Sequence, residues 1–220
     1  DALTGRAVYL EMCEREGMVP TSNFIDKITL ETVSVRFHGI KPPMAEAMAE
    51  ALKLNAFIRT LDMAANDIGD RGGAALAEVL AVNTVLTSLD LSKTLMTARS
   101  AAPLAKVLEE TNRTLLTLRL GGNAIGDRGV AAVAKAIERN TILTALDLSR
   151  VGMRAAGAAA LGDALLVDLG LRDLDASWND LNNAGGLSLV NGLESSFLTS
   201  LSLAYSSLTD EAGAGRGPGA

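Results

Sequence analysis

A pattern of aliphatic residues recurs seven times along this chain, at steps of 27 to 29 residues. In the fourth copy, Leu115, Leu118 and Leu120 are followed by Asn123 and Ile125, in the order L-x-x-L-x-L-x-x-N-x-L. The seven copies begin at Leu30, Ile58, Leu86, Leu115, Leu143, Leu171 and Leu198. A fixed period of this length indicates a repeat architecture in which similar units stack on one another.

Each unit combines one short strand with one helix. Between the strand patterns, apolar residues recur at helical spacing, as in Ala75, Leu76, Val79 and Leu80. The predicted helices cover residues 44–55, 70–83, 100–112, 127–140, 155–168 and 183–195. Since a single unit cannot bury its apolar faces alone, neighbouring units must stack. We therefore expect an α/β solenoid shaped as a horseshoe, with a parallel sheet on the concave side and helices on the convex side.

The polar position of the pattern lies where the chain leaves each strand. Asn66, Asn123 and Asn179 occupy it in three copies, and an amide there can donate to and accept from backbone groups that would otherwise be buried unpaired. The other four copies have His38, Thr94, Val151 and Ser206 instead. We expect those four turns to be looser.

Composition excludes several functional classes. The chain has 20 Lys and Arg against 26 Asp and Glu and a pI near 4.9, which argues against nucleic-acid binding. One Cys and one His are too few for a zinc site or a Cys/His catalytic pair, so we expect no metal, no cofactor, no small-molecule substrate and no catalysis. The longest apolar stretches are too short to span a bilayer, and no secretory signal pattern is present. We therefore expect a cytoplasmic chain without membrane contact.

Three segments are predicted. Residues 1–27 should form a helical N-terminal cap, residues 28–209 the repeat domain, and residues 210–220 a flexible tail rich in Gly and Ala. The repeats should therefore form one continuous domain.

One column of side chains on the concave face is rich in aspartate. Because strand side chains alternate, the residue between the second and third leucines points away from the core. Along the seven strands this column reads Ser34, Asp62, Asp90, Arg119, Asp147, Asp175 and Ser202. One interpretation is a self-satisfying ladder in which Arg119 bridges Asp90 and Asp147, with help from Arg59 and Arg172. The other is that Asp62 and Asp90, or Asp147 and Asp175, bind a basic segment of a partner.

A second exposed column follows at the ends of the strands. It reads Phe37, Ala65, Lys93, Gly122, Arg150, Trp178 and Tyr205. Trp, Tyr and Arg are enriched at interface hot spots, so Arg150, Trp178 and Tyr205 are candidate partner-binding residues. The alternative is that a terminal cap or a further repeat covers them.

Two phrases of the sequence resemble the ribonuclease-inhibitor class of leucine-rich repeats. They are LDMAANDIGDRGGAALAEVLAVN (61–83) and LRLGGNAIGDRGVAAVAKAIERN (118–140), and the resemblance extends over about residues 30–209. The N-terminal segment, with Tyr9, Cys13, Val19 and Pro20, resembles the opening of leucine-rich-repeat proteins of cilia and flagella, including dynein regulatory complex subunits. This resemblance implies a non-catalytic scaffold in an axonemal assembly, whose partners are axonemal or microtubule-associated proteins.

Two other branches with similar repeats remain as alternatives. Ran GTPase-activating proteins end in a long acidic tail, whereas residues 212–220 of this chain read AGAGRGPGA. NOD-like receptors carry a nucleotide-binding domain, and the chain contains no G-x-x-x-x-G-K-[ST] loop.

Overall fold

The computed structural model describes residues 3–208. Their elements, in chain order, are α1 (Arg6–Arg15), α2 (Ser22–Ile25), β1 (Thr32–Ser34), α3 (Pro42–Leu54), β2 (Thr60–Asp62), α4 (Gly69–Val82), β3 (Ser88–Asp90), α5 (Ala98–Glu110), β4 (Thr117–Arg119), α6 (Gly126–Ile137), β5 (Ala145–Asp147), α7 (Ala155–Leu165), β6 (Asp173–Asp175), α8 (Asn182–Gly192) and β7 (Ser200–Ser202). Residues 209–220, which include the predicted tail, lie outside this range.

The seven strands form one parallel sheet in the order β1 to β7. Every pairing keeps the repeats in register: the central residue of each strand faces that of the next, as Leu89 faces Leu118. These central side chains are buried from β1 to β6. The predicted leucine-rich-repeat solenoid is therefore confirmed.

Six helices, α3 to α8, pack side by side against the other face of the sheet. Their buried positions are mostly alanine, glycine and leucine, which lets helix backbones approach closely. Gly162 in α7 is an extreme case, because an added Cβ would lie 2.3 Å from the carbonyl oxygen of Ser188 in α8. Each helix begins within two residues of its predicted start and ends one to three residues before its predicted end.

The N-terminal end of the solenoid is covered by α1 and α2. The rings of Tyr9 and Phe24 are fully buried and meet edge to face, with centroids 4.9 Å apart. The Tyr9 hydroxyl accepts a hydrogen bond of 2.8 Å from the backbone N–H of Thr21, and Cys13 is buried on the same helix as Tyr9. Helix α1 contacts α3, so this end of the core is closed to solvent.

The C-terminal end is more open over the described residues. Leu201 and Leu203 are only partly buried, whereas Leu174 in the preceding strand is 2% exposed. Within residues 3–208, no helix is long and apolar enough to cross a bilayer.

Candidate functional site

The strand ends are held by asparagine side chains that each serve two repeats. Asn123 Oδ1 accepts hydrogen bonds from the backbone N–H groups of Thr94 (2.9 Å) and Met96 (3.0 Å), which belong to the preceding repeat. Its Nδ2 donates to the carbonyls of Leu91 (2.7 Å) and Leu120 (2.8 Å). The same bonds recur at Asn66 and Asn179.

The predicted looser turns at His38, Thr94 and Val151 are therefore wrong. Each of these turns receives its acceptor from the asparagine one repeat later, so a turn without its own asparagine is still satisfied. Thr94 and Val151 are fully buried. The fourth such residue, Ser206, is also buried, and its hydroxyl donates to the carbonyl of Ala176.

The aspartate column lies in one register across the sheet, with Asp62 facing Asp90, Arg119 facing Asp147, and Asp147 facing Asp175. Each carboxylate closes a turn on its own strand. The Oδ1 atoms accept from the backbone N–H two residues on, at 2.8 to 2.9 Å. Aspartate therefore recurs in this column because its short carboxylate caps the strand end, which leaves Oδ2 available to other groups.

Arg119 is not the centre of an ion-pair ladder. Over residues 3–208, it forms no ion pair within 4.0 Å, so the predicted bridge between Asp90 and Asp147 is wrong. Arg59 pairs instead with Glu31 at 3.6 Å, and Arg172 donates to three backbone carbonyls that begin at Leu169. One oxygen of each of these carboxylates is bound by a backbone N–H group, so local turns hold the aspartates in place without a bridging cation.

In the N-terminal part of the aspartate column, the carboxylate has more hydrogen-bonding and ionic partners than in the rest. Asp62 Oδ2 accepts a hydrogen bond of 3.0 Å from the Ser34 hydroxyl and lies 3.8 Å from the Arg36 guanidinium. Among the described residues, Asp90, Asp147 and Asp175 have no cation within 4.0 Å. The unpaired carboxylates thus lie toward the centre and the C-terminal end.

A depression of about 270 Å³ crosses strands β4 to β7 on the concave face. Ala145 lines this depression. It occupies the column that holds Thr60 and Thr117 in earlier strands, so the lining lacks a branched side chain at this position. Carboxylates of Asp147, Asp173 and Asp175 surround the depression, together with the Arg119 guanidinium and small hydroxyl side chains.

The second predicted column has an unusual backbone. All seven members have positive φ, between 52° and 72°, although only Gly122 is a glycine. Left-handed backbone costs a non-glycine residue about 1 kcal/mol or more, so the surrounding turn must hold it in place. The chain turns out of the sheet at this column, and its side chains therefore lie along the rim where the strands end.

Three members of that column stack on one another. The Arg150 guanidinium lies 4.0 Å from the centroid of the Trp178 ring, and the Tyr205 ring stacks on Trp178 at 4.1 Å with an interplanar angle of 21°. Both faces of the indole are covered, and Trp178 keeps 48% of its surface exposed. Tyr205 is 73% exposed. We name this set the rim stack: Arg150, Trp178 and Tyr205.

Most of the predicted partner-binding residues lie close together. Six of them line a depression of about 360 Å³ at the strand ends: Asp90, Arg119, Asp147, Arg150, Asp175 and Trp178. Tyr205 joins them through Trp178. Asp62 lies outside that depression. Sequence analysis did not single out Asp173, Ala145 or Gly121, which also line the two depressions.

Two aspartates with shifted pKa values lie away from this face. Burial would raise the pKa of Asp70, but hydrogen bonds from Ser100 and Thr97 outweigh it and hold that pKa below its ordinary value. Burial raises the pKa of Asp168, and hydrogen bonds from Leu171 and Gly170 offset it only in part. Across residues 3–208, no group of three or more His, Cys, Asp or Glu side chains is placed to bind a metal ion.

Comparisons with known proteins agree with the repeat assignment. A model described as Leucine Rich repeat matches residues 54–77 and 111–134. Ribonuclease inhibitor of Sus scrofa is 30% identical over 191 residues, which is 86% of this chain and 40% of that protein. Ribonuclease inhibitor of Mus musculus is 34% identical over 84 residues, 38% of this chain and 18% of that protein. The chain thus spans less than half the length of these relatives.

Solved structures show the same fold. Leiomodin-1 Actin-Binding Site 2 is 26% identical with a TM-score of 0.52, over 64% of this chain and 78% of that one. The yeast Rad7 and Elc1 complex contains a chain that is 15% identical with a TM-score of 0.59, over 94% of this chain and 56% of that chain. The second likeness is one of fold alone.

Proposed function

Since the chain is a leucine-rich-repeat solenoid whose repeats are of the ribonuclease-inhibitor type, we propose that it is a non-catalytic scaffold that binds other proteins on its concave face. The observation that carries this proposal is the rim stack, in which two aromatic rings and a guanidinium lie together on the surface. Hot spots of protein interfaces are rich in these three residue types.

The rigidity of the sheet supports the same function. Arg150 and Trp178 lie at strand ends that the Asn179 side chain joins, and Arg150 and Tyr205 each contact the indole between them. Because the receptor side is already ordered, a partner would not have to immobilise it, and less binding free energy would be lost on association.

The proposed setting is a cytoskeletal assembly, most specifically a ciliary or flagellar axoneme. The N-terminal segment around Tyr9 and Cys13 resembles that of ciliary leucine-rich-repeat proteins. The likeness to an actin-binding segment of leiomodin-1 supports a cytoskeletal partner in general terms. The partners proposed are therefore axonemal or microtubule-associated subunits.

Affinity purification from ciliated cells tests this proposal. The tagged chain is compared with a Trp178→Ala/Tyr205→Ala variant and with a Phe37→Ala control, which removes an exposed ring at the other end of the same column. We expect dynein- or microtubule-associated proteins with the wild type and the control, and their loss with the double variant. Recovery of the same proteins with all three chains would contradict a binding role for the rim stack.

A second candidate function is regulation of a small GTPase. Arg119 favours it, because an exposed arginine without an ion pair among the described residues could be supplied to a partner's active site. Addition of the chain to purified GTPases of the Ran type decides between the two. Acceleration of GTP hydrolysis that is lost in Arg119→Ala would support the regulator, and no acceleration at micromolar concentration would exclude it for those GTPases.

A further inference from the structure

The rim stack has one ring face free. Arg150 covers one side of Trp178 and Tyr205 covers the other, so the indole can offer only its edge. Tyr205 lies in the turn after β7, the last strand of the described sheet, and its ring contacts only Trp178 among the rings and guanidinium groups of residues 3–208. Over these described residues, its outer face is therefore the open surface of the stack.

The stack itself indicates which group fits that face. Arg150 already packs a planar cation flat against an aromatic ring in this column, with 4.0 Å between the guanidinium carbon and the ring centroid. A guanidinium on Tyr205 would repeat this contact at the other end of the stack. Arginine makes such contacts with aromatic rings more often than lysine does.

The depression across β4 to β7 is the acidic part of the concave face. It brings together Asp147, Asp173 and Asp175, and within residues 3–208 none of the three has a cation within 4.0 Å. The depression next to the stack has mixed charge, because Arg36, Lys93, Arg119 and Arg150 line it together with Asp90, Asp147 and Asp175. In the acidic depression, Arg119 lies on β4, at the side away from β6 and β7. It therefore does not cover the side where the carboxylates lie. A basic side chain placed over Ala145 would neutralise this excess of negative charge.

We propose that the C-terminal half of the concave face binds an arginine-containing basic segment of a partner protein. One guanidinium stacks on the free face of Tyr205, and a neighbouring basic side chain enters the depression between Asp147, Asp173 and Asp175. This inference rests on the proposed function, since it specifies the partner of the same face. It also restricts binding to strands β4 to β7, because Asp62 near the N-terminal end is already engaged by Ser34 and Arg36.

Trp178 provides the signal for the test, because it is the single tryptophan of the chain and is in contact with Tyr205. The probe is an acetylated and amidated peptide of alternating glycine and arginine, titrated at low salt while tryptophan fluorescence is followed. Matched peptides carry lysine or the uncharged analogue citrulline in place of arginine. We expect saturable binding of the arginine peptide, weaker binding of the lysine peptide and none of the citrulline peptide.

Three variants separate this site from general charge attraction. Asp173→Ser introduces the residue that Ser200 already has in that column, and Ala145→Thr fills the depression with the residue found at Thr117. Each should weaken the arginine peptide by at least about fivefold. Tyr205→Leu should still bind both peptides but without a preference for arginine over lysine, whereas loss of folding would abolish the binding of both.

Asp62→Ser is the matched control, since it removes one carboxylate from the same face outside the depression. Its peptide affinity should stay within about twofold of the wild type. Equal losses in Asp62→Ser and Asp173→Ser, or an arginine preference that survives Tyr205→Leu, would overturn the inference. If cellular partners depend on Trp178 and Tyr205 but not on Asp173 or on arginine, the scaffold function stands and the basic-segment proposal fails.

Discussion

The side-chain oxygen of Asn123 accepts a hydrogen bond of 2.9 Å from the backbone N–H of Thr94, one full repeat earlier in the chain. Each repeat with an asparagine at this position therefore completes the turn of the repeat before it. The three asparagines occur in alternate repeats, so the structural unit of this part of the solenoid is a pair of repeats.

Replacement of Asn123 should lower the free energy of unfolding. Asn123→Ala leaves three buried backbone groups without a partner, while the Leu91 carbonyl keeps its hydrogen bond from the Thr94 hydroxyl. We expect a loss of roughly 2–4 kcal/mol in the free energy of unfolding. Urea denaturation followed by circular dichroism measures it. Asn191→Ala, at an exposed position in α8, is the control and should change stability by less than about 0.5 kcal/mol. A similar small change in Asn123→Ala would refute the role of its amide.

Asp168 occupies a position that is asparagine in the preceding repeats. Asn140 donates to the carbonyls of Leu108 and Asn112, at 2.7 and 3.3 Å, and an ionised carboxylate has no donor for the equivalent groups. Because burial raises the pKa of Asp168 above its ordinary value, ionisation lowers stability as the pH rises through the folded-state pKa. Asp168→Asn should therefore stabilise the chain at pH 7 by about 1 kcal/mol.

The gain of Asp168→Asn should shrink as the pH falls from the raised folded-state pKa of Asp168 toward the ordinary value for aspartate, since the protonated wild-type side chain becomes a donor too. Thermal unfolding of both chains between pH 3 and pH 7 checks this, within the range where the fold is intact. A variant less stable than the wild type at pH 7 would show that the carboxylate is favourable at this site.

Asp70 has the opposite pH dependence. Its carboxylate accepts from the backbone N–H of Thr97 (2.8 Å), the Thr97 hydroxyl (2.7 Å) and the Ser100 hydroxyl (2.7 Å), and thereby joins α4 to the start of α5. Its lowered pKa means that this stabilisation is present above the unfolded-state pKa and is lost as the pH falls through the folded-state value.

Asp70→Ala should thus cost roughly 1–3 kcal/mol at pH 7 and progressively less toward acid pH. Denaturant unfolding at several pH values measures the difference from the wild type. The equivalent residue Asp127 accepts hydrogen bonds from the backbone N–H groups of Arg154 and Gly157, at 2.7 and 2.9 Å, and Asp127→Ala should also lower stability at pH 7. A pH-independent difference would rule out the charged form as the source of stability.

Arg119 should matter little for folding. Because it has no ion pair over the described residues, Arg119→Ser should change the free energy of unfolding by less than about 0.5 kcal/mol. If Arg119 instead held Asp90 and Asp147 together, its removal would leave adjacent like charges and a measurable loss. Arg59→Ser, which removes an exposed pair with Glu31, provides the comparison.

The sheet and helices could be predicted because the buried leucines recur at a regular spacing in the sequence. The strand order, the register and the direction of the aspartate column all followed from that period. The role of Asn66, Asn123 and Asn179 at the strand ends was also predicted, since an amide can both donate and accept.

What could not be predicted depends on contacts between repeats. The hydrogen bond from the backbone N–H of Thr94 to Asn123 joins two repeats, so the sequence of neither repeat alone predicts it. The turns at the aspartates bind the carboxylates locally, and this made the expected Arg119 bridge unnecessary. The positive φ of Trp178 and Tyr205 has no marker in those residue types, although Gly122 in the same column was a faint one.

Site-specific photo-crosslinking in cells tests most directly whether partners bind the concave face. A benzophenone amino acid is placed at Ser200, on β7 beside the depression, or at Arg128, exposed on the convex helix α6. We expect discrete protein adducts from position 200 that Tyr205→Ala diminishes, and none from position 128. Adducts formed from position 128 alone would contradict concave-face binding and place the binding surface on the helices.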